Sequence, residues 1–218
     1  MYYRFVISVV LGFMPFFATA DGTTASNSPM RLEANLGKGC HIAITLPDNA
    51  KGNIVGEVQS GLGGFGVDPI PKSWRYKSFP HLSFGLTCYD AEEALSRIDK
   101  ASFDPKTETW TKDVDKRIRA LGFEVSPQEY KNLYADFDTA IRVYNVTAVN
   151  SKGVASTEEE TTGDEKNRRR QMGFCLFHPP KALCGGGVVG YIPDGPRSDL
   201  SVKVLEILRT VEFLPDAE

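Results

Sequence analysis

The chain has 218 residues, 41% of them hydrophobic and 24% charged, with a formal net charge of −3. A mildly acidic chain lacks the clustered basic surface that phosphate neutralisation demands, which argues against a nucleic-acid partner. Its length suits one substantial domain or two small ones.

The opening "MYYRFVISVVLGFMPFFATADG" carries one charged side chain, Arg4, before an apolar run, and Ala18-Thr19-Ala20 supplies small residues at a cleavage position. This is the pattern of a secretory signal peptide over residues 1–20. The apolar core falls short of the roughly 20 residues of a membrane span. The expected mature chain therefore starts near Asp21, is periplasmic, and has no stable membrane insertion; an uncleaved anchor is the alternative. Losing Arg4 makes the chain one unit more negative. Residues 21–31, "DGTTASNSPMR", read as a flexible leader, and 32–218 as a single domain.

"CHIAITLP" alternates, with Ile42, Ile44 and Leu46 on one face, and reads as a half-buried strand ended by a proline. Glycines and prolines recur from Asp48 to Lys77, so an irregular loop is expected, with at most a short strand at "NIVGEVQ". "LSFGLTCYD" is a second strand. Asp90 then stands three residues before Glu93, the spacing of a capping box. Ala91, Ala94, Leu95, Ile98 and Ala101 form one apolar stripe of a helix.

A second helix is predicted over 110–121, where Trp110, Val114, Ile118 and Leu121 share a face and Gly122 offers the stop. "SPQEYKNLYADF" repeats a start signal, with Ser126 as cap, Pro127 in the first turn and Glu129 behind it. "TAIRVYNVTAVN" reads as a strand, and "SKGVASTEEETTGDEKN" as polar and turn-prone. Strands at "RRRQMGFCLFH" and "GGGVVGYIP" flank a short loop. A helix starting at Ser198 or Asp199 packs Leu200, Val204, Leu208 and Val211 inward, and "VEFLP" closes as a strand or extended tail. The order implies an α+β fold: an antiparallel sheet with helices packed on one side, stabilised by disulfides.

Four cysteines, Cys40, Cys88, Cys175 and Cys184, make an even count in a chain expected to fold in an oxidising compartment, which argues for two disulfides. Three pairings are possible. The expected one is Cys175–Cys184, closing the short loop between strands, with Cys40–Cys88 joining two strands. The loop-entropy model makes these worth about 2.7 and about 4 kcal/mol. Without a C-x₂-C pair they form a poor zinc pattern, so no metal or other cofactor is expected.

Chemistry-bearing motifs are sparse. G-x-G-x-x-G occurs at Gly61–Gly66 and Gly185–Gly190, but prolines follow where a dinucleotide site needs a helix N-terminus, so both read as chance. His178 lies three residues from Cys175, yet a nucleophilic thiol must be free, and the disulfide competes for it. His41 and His81 read as structural, and Trp110 and the tyrosines at 130, 134 and 144 as mostly core by spacing; burial is also the default for Trp74. Asn145-Val146-Thr147 is a weak glycosylation sequon. A dispersed triad or carboxylate pair needs no local motif. The acidic set Glu158, Glu159, Glu160, Asp164 and Glu165 reads either as a solvated loop offset by "RRR" at 168–170, or as a docking patch for a basic partner.

The stretch "RRRQMGFCLFHPPKALCGGGVVGYI", a short helix, and then "VLEILRTVEFLP" resemble the C-terminal half of small periplasmic immunity proteins. These protect bacteria against type VI secretion effectors, lipase effectors in particular. "ILRTVEFL" is also similar to the close of PsbP-like α/β domains. The resemblance covers residues 140–214, and the F-C-L and L-C-G cysteine pair is its most specific part. It implies a non-enzymatic protein whose partner is a cognate secreted effector, neutralised by occluding its active site. The alternatives are an envelope hydrolase with a dispersed catalytic set, or a PsbP-like carrier of lipids or small ligands.

Overall fold

The computed structural model describes residues 29–74 and 81–216. The signal peptide, most of the leader, and residues 75–80, which include the end of the expected irregular loop, lie outside the described residues. Among the described residues there are twelve strands and four helices, and the fold is α+β with antiparallel sheets.

The main sheet has seven strands: β3 (Gly52–Glu57), β4 (Leu62–Val67), β5 (Leu82–Asp90), β8 (Ile141–Thr147), β9 (Lys152–Glu159), β10 (Arg169–His178) and β11 (Lys181–Tyr191). Their order is β3-β4-β5-β11-β10-β9-β8. The β5–β11 ladder joins the two halves of the chain, pairing Lys181 with Asp90 through to Gly187 with Phe84. A smaller sheet runs β1 (Met30–Asn35), β2 (His41–Leu46), β12 (Glu212–Leu214), with β2 central. The strand β1 thus begins two residues inside the expected leader.

One face of the main sheet buries Phe65, Phe84, Leu86, Met172, Phe174 and Leu176 against Ile42, Ile44 and Leu46 of the small sheet and against helix α4 (Ser201–Leu208). Leu200, Val204, Leu208 and Val211 all enter this core, as their spacing predicts, and Ile207 joins them. The opposite face carries the other three helices. Helix α1 (Ala91–Arg97) sets Ala94, with Ile98 just beyond, over Cys175, Ala182 and Cys184. Helices α2 (Val114–Arg119) and α3 (Pro127–Ala140) pack together around Val114, Ile118, Phe137 and Ile141.

Both expected disulfides are present, Cys40–Cys88 and Cys175–Cys184, and no described cysteine is free. The first ties the small sheet to the main one. The second links directly facing residues of β10 and β11. The α3 cap is fully formed: Ser126 accepts from the Glu129 amide, and the Glu129 carboxylate accepts from the Ser126 amide.

Several elements differ from expectation. Asp90 makes no side-chain cap; its carboxylate accepts from Lys181 instead, and Glu93 pairs with Arg97. The helix expected over 110–121 starts at Val114, capped by Asp113. Trp110 lies instead in β7 (Thr109–Lys112), paired with β6 (Ala101–Asp104) in a hairpin. That hairpin is held on β8 by Asn145, whose side chain bonds both the N–H and the carbonyl of Trp110. Helical spacing of Trp110 with Val114 and Ile118 was coincidental, because the residues belong to two elements. The expected loop at 48–77 contains β3 and β4, and the polar "KGVASTEE" is strand β9.

Candidate functional site

The outer face of the main sheet is covered by helices at one end and open at the other. Across the open part runs a single register row: Val55, Gly64, Gly85, Gly186, Gly173, Ser156 and Val143, one residue from each of the seven strands in spatial order. Four consecutive members are glycines, so four strands present bare backbone to solvent.

The chain contains two kinds of strand glycine. Those on the core face are forced by packing. A Cβ on Gly153 would lie 1.9 Å from the Cys175 carbonyl oxygen, and one on Gly185 would lie 2.8 Å from the Phe174 ring. Two glycines of the open row differ, whereas a Cβ on Gly64 or Gly186 would lie 3.1 Å from a backbone carbonyl oxygen. A Cβ on Gly85 meets nothing nearer than 4.0 Å, and one on Gly173 nothing nearer than 3.8 Å. Glycine in a strand interior weakens the strand, and its common justification is close approach of another backbone or a ligand. With no neighbour among the described residues demanding Gly85 or Gly173, that justification points outward.

Two adjoining cavities sit over this floor, of about 390 and 560 Å³, and they share Lys100, Ser156, Gly173 and Gly186. The disulfide Cys175–Cys184 occupies the next row and stiffens one flank. A four-charge network forms the other. Arg117 of α2 donates to both oxygens of Glu158 on β9 at 3.0 Å and to Asp99 at 3.0 Å. Lys100 reaches Asp99 at 3.1 Å and Glu158 at 3.3 Å. The fork geometry of guanidinium on carboxylate makes this a directional brace between helix and sheet. Beyond it, burial works to raise the Glu160 carboxyl, but hydrogen bonds from Gln171 and the Arg169 amide, with the Arg169 charge, outweigh it and hold the group below its ordinary range. Glu160 is therefore a carboxylate at neutral pH and not a proton donor.

The acidic set expected as a docking patch is divided by this arrangement. Glu158 and Glu160 line the trough and are paired. Glu159 pairs with Arg170, which also binds Asp199 near α4. Asp164 caps the short 3-10 turn Glu165–Asn167 by accepting from the Lys166 amide. Glu165, the most exposed of the five, lies 3.8 Å from Arg168. The "RRR" run thus offsets most of the acids across the β9–β10 hairpin.

His178 Nδ1 lies 2.8 Å from the Asn150 carbonyl oxygen and its ring stacks on Phe213, while His41 Nδ1 lies 3.3 Å from the Pro215 carbonyl oxygen. Both hold backbone in place. Trp74 is buried, with its indole N–H donating to Asp48. Neither glycine fingerprint opens a helix: Gly61–Gly66 runs into β4, and Gly190 lies in β11 ahead of a short 3-10 turn. Among the described residues no group of three or more His, Cys, Asp or Glu could hold a metal ion, and no helix is long and apolar enough to cross a membrane.

No family model matches the chain, and no curated protein or solved structure matches it.

Proposed function

We propose that this is an exported binding protein that neutralises a toxic secreted effector by seating part of it on the glycine-floored face, thereby occluding the effector's active site. The observation that carries this reading is the bare floor at Gly85 and Gly173, where side chains would fit and none is present. Binding through such a surface needs rigidity more than chemistry, because ordering loops on association subtracts from affinity. The cross-strand disulfide on one flank and the Arg117–Glu158 brace on the other supply that rigidity before the partner arrives. Exposed Val55 and Leu62 extend the floor with apolar contact area at the β3–β4 edge, the kind of surface that marks interaction sites. Two disulfides with no free described thiol fit an oxidising compartment such as the periplasm.

The test is co-expression, both proteins exported to the bacterial periplasm, with the toxic product of the gene beside its own. The reading expects survival that depends on this chain. Cell death unaffected by it, or a neighbour without toxicity, overturns the reading.

A further inference from the structure

A second concave surface lies at the far end of the same sheet face, between the β6–β7 hairpin and the β8–β9 turn. Independently of the effector-binding reading, we infer that this groove is a binding site for an uncharged, largely apolar small molecule. Its volume of about 640 Å³ falls within the range of small-ligand sites.

Four separate elements supply the lining. The hairpin contributes Phe103 and Trp110, α1 contributes Leu95, the end of β10 contributes Phe177, and the β8–β9 turn contributes Val149. Trp110 is stacked on Phe177 at 5.9 Å between ring centres and touches Phe103 at 5.2 Å, giving a continuous aromatic wall. Leu95 and Phe103 are each 46% exposed and Val149 is 61% exposed. Large apolar side chains usually meet water singly, so three around one concavity indicate a shared occupant. The groove is also preformed, because Asn145 pins the Trp110 backbone from both sides.

The polar groups define the ligand's chemistry. The charged lining residues are Lys152 and Glu108, which face each other at 3.6 Å on the exposed rim. They compensate each other, so no unpaired charge is left to hold an ion.

A fluorescence titration of the intact mature protein with N-phenyl-1-naphthylamine tests this, since the probe is uncharged and aromatic. The expected result is saturable binding of one molecule per chain. Val149→Glu, at an exposed position where the fold tolerates it, should weaken binding roughly tenfold or more. Val55→Glu, comparably exposed at the opposite edge of the sheet, should leave it unchanged. The anionic 1-anilinonaphthalene-8-sulfonate should bind more weakly than the neutral probe. No saturable binding, an unchanged affinity in Val149→Glu, or equal binding of the anionic probe overturns the inference. Self-association that Val149→Glu abolishes, with no probe uptake, would also overturn it by assigning the groove to a second copy of the chain. Protection against the effector should be the same in Val149→Glu as in wild type, which separates failure here from failure of the proposed function.

Discussion

Gly85 and Gly186 face each other across the β5–β11 ladder, and a methyl group added to Gly85 would come no closer than 4.0 Å to the Gly186 carbonyl oxygen. Gly85 and Gly173 on the outer face therefore respond to substitution oppositely to the crowded glycines of the core face. Gly85→Ala and Gly173→Ala should leave stability unchanged or raise it by up to about 1 kcal/mol, because alanine loses less chain entropy in a strand. Gly185→Ala and Gly153→Ala should each cost about 1–3 kcal/mol, since both force backbone or ring displacement. Urea midpoints of the four variants decide the matter.

The Arg117–Glu158 brace should behave as a coupled pair. Each side chain is about one-fifth exposed, between the surface and buried limits. Arg117→Ala should cost about 2 kcal/mol by leaving Glu158 and Asp99 with less compensation. The double variant Arg117→Ala, Glu158→Gln should be less destabilised than the two single losses summed, with a coupling of about 1 kcal/mol in a double-mutant cycle. Full additivity would remove the brace from the account.

Asp113 makes the acid limb of stability testable. The Ser102 hydroxyl donates to its carboxylate and, although burial opposes this, the Lys116 amide adds a second bond, so the group sits below its ordinary value of 3.8. The folded value is thus lower than the unfolded one. The stabilisation is complete above the unfolded value and is lost as pH falls through the folded one. Asp113→Ala should cost about 1 kcal/mol near neutral pH, as loss of a helix cap does, and progressively less below about pH 4. Denaturant midpoints across that window measure the difference, and a constant gap would contradict the assignment.

Much of this was legible in the sequence where side chains carry the signal. Ser126, Pro127 and Glu129 announce α3 because capping is local chemistry, and the even cysteine count announces two disulfides, whose pairing the structure selects from three. Two elements were hidden for a physical reason. Strand β4 is "LGGFGV", where three glycines erase the alternation by which a strand is recognised. Strand β9, "KGVASTEE", is polar because Glu158 faces the trough and not a core. The candidate site was illegible as a site. Gly64, Gly85, Gly173 and Gly186 come from four strands and are aligned only by register. The one local hint was an isolated glycine inside each of two good strand patterns, "LSFGLTCYD" and "RRRQMGFCLFH", which by itself signals a bulge or a close approach.

The two disulfides should contribute unequally. They close separations of 48 and 9 residues, which the loop-entropy model weights at about 4 and about 2.7 kcal/mol. Replacing Cys40 and Cys88 with alanine should therefore lower stability more than replacing Cys175 and Cys184. The second pair flanks the trough, however, so its loss should weaken partner binding more than its effect on stability alone explains. Thermal melts paired with partner affinity for each double variant check both halves.

The most direct test is the affinity of the purified mature protein for the effector encoded beside it, compared with that of the double variant Gly85→Gln, Gly173→Gln. Both substitutions point into open space, so the variant should melt at or near the wild-type temperature while its affinity falls by about a hundredfold, as expected when bulk fills the centre of an interface. A variant that folds normally and still binds as tightly as wild type would contradict the glycine floor as the working surface.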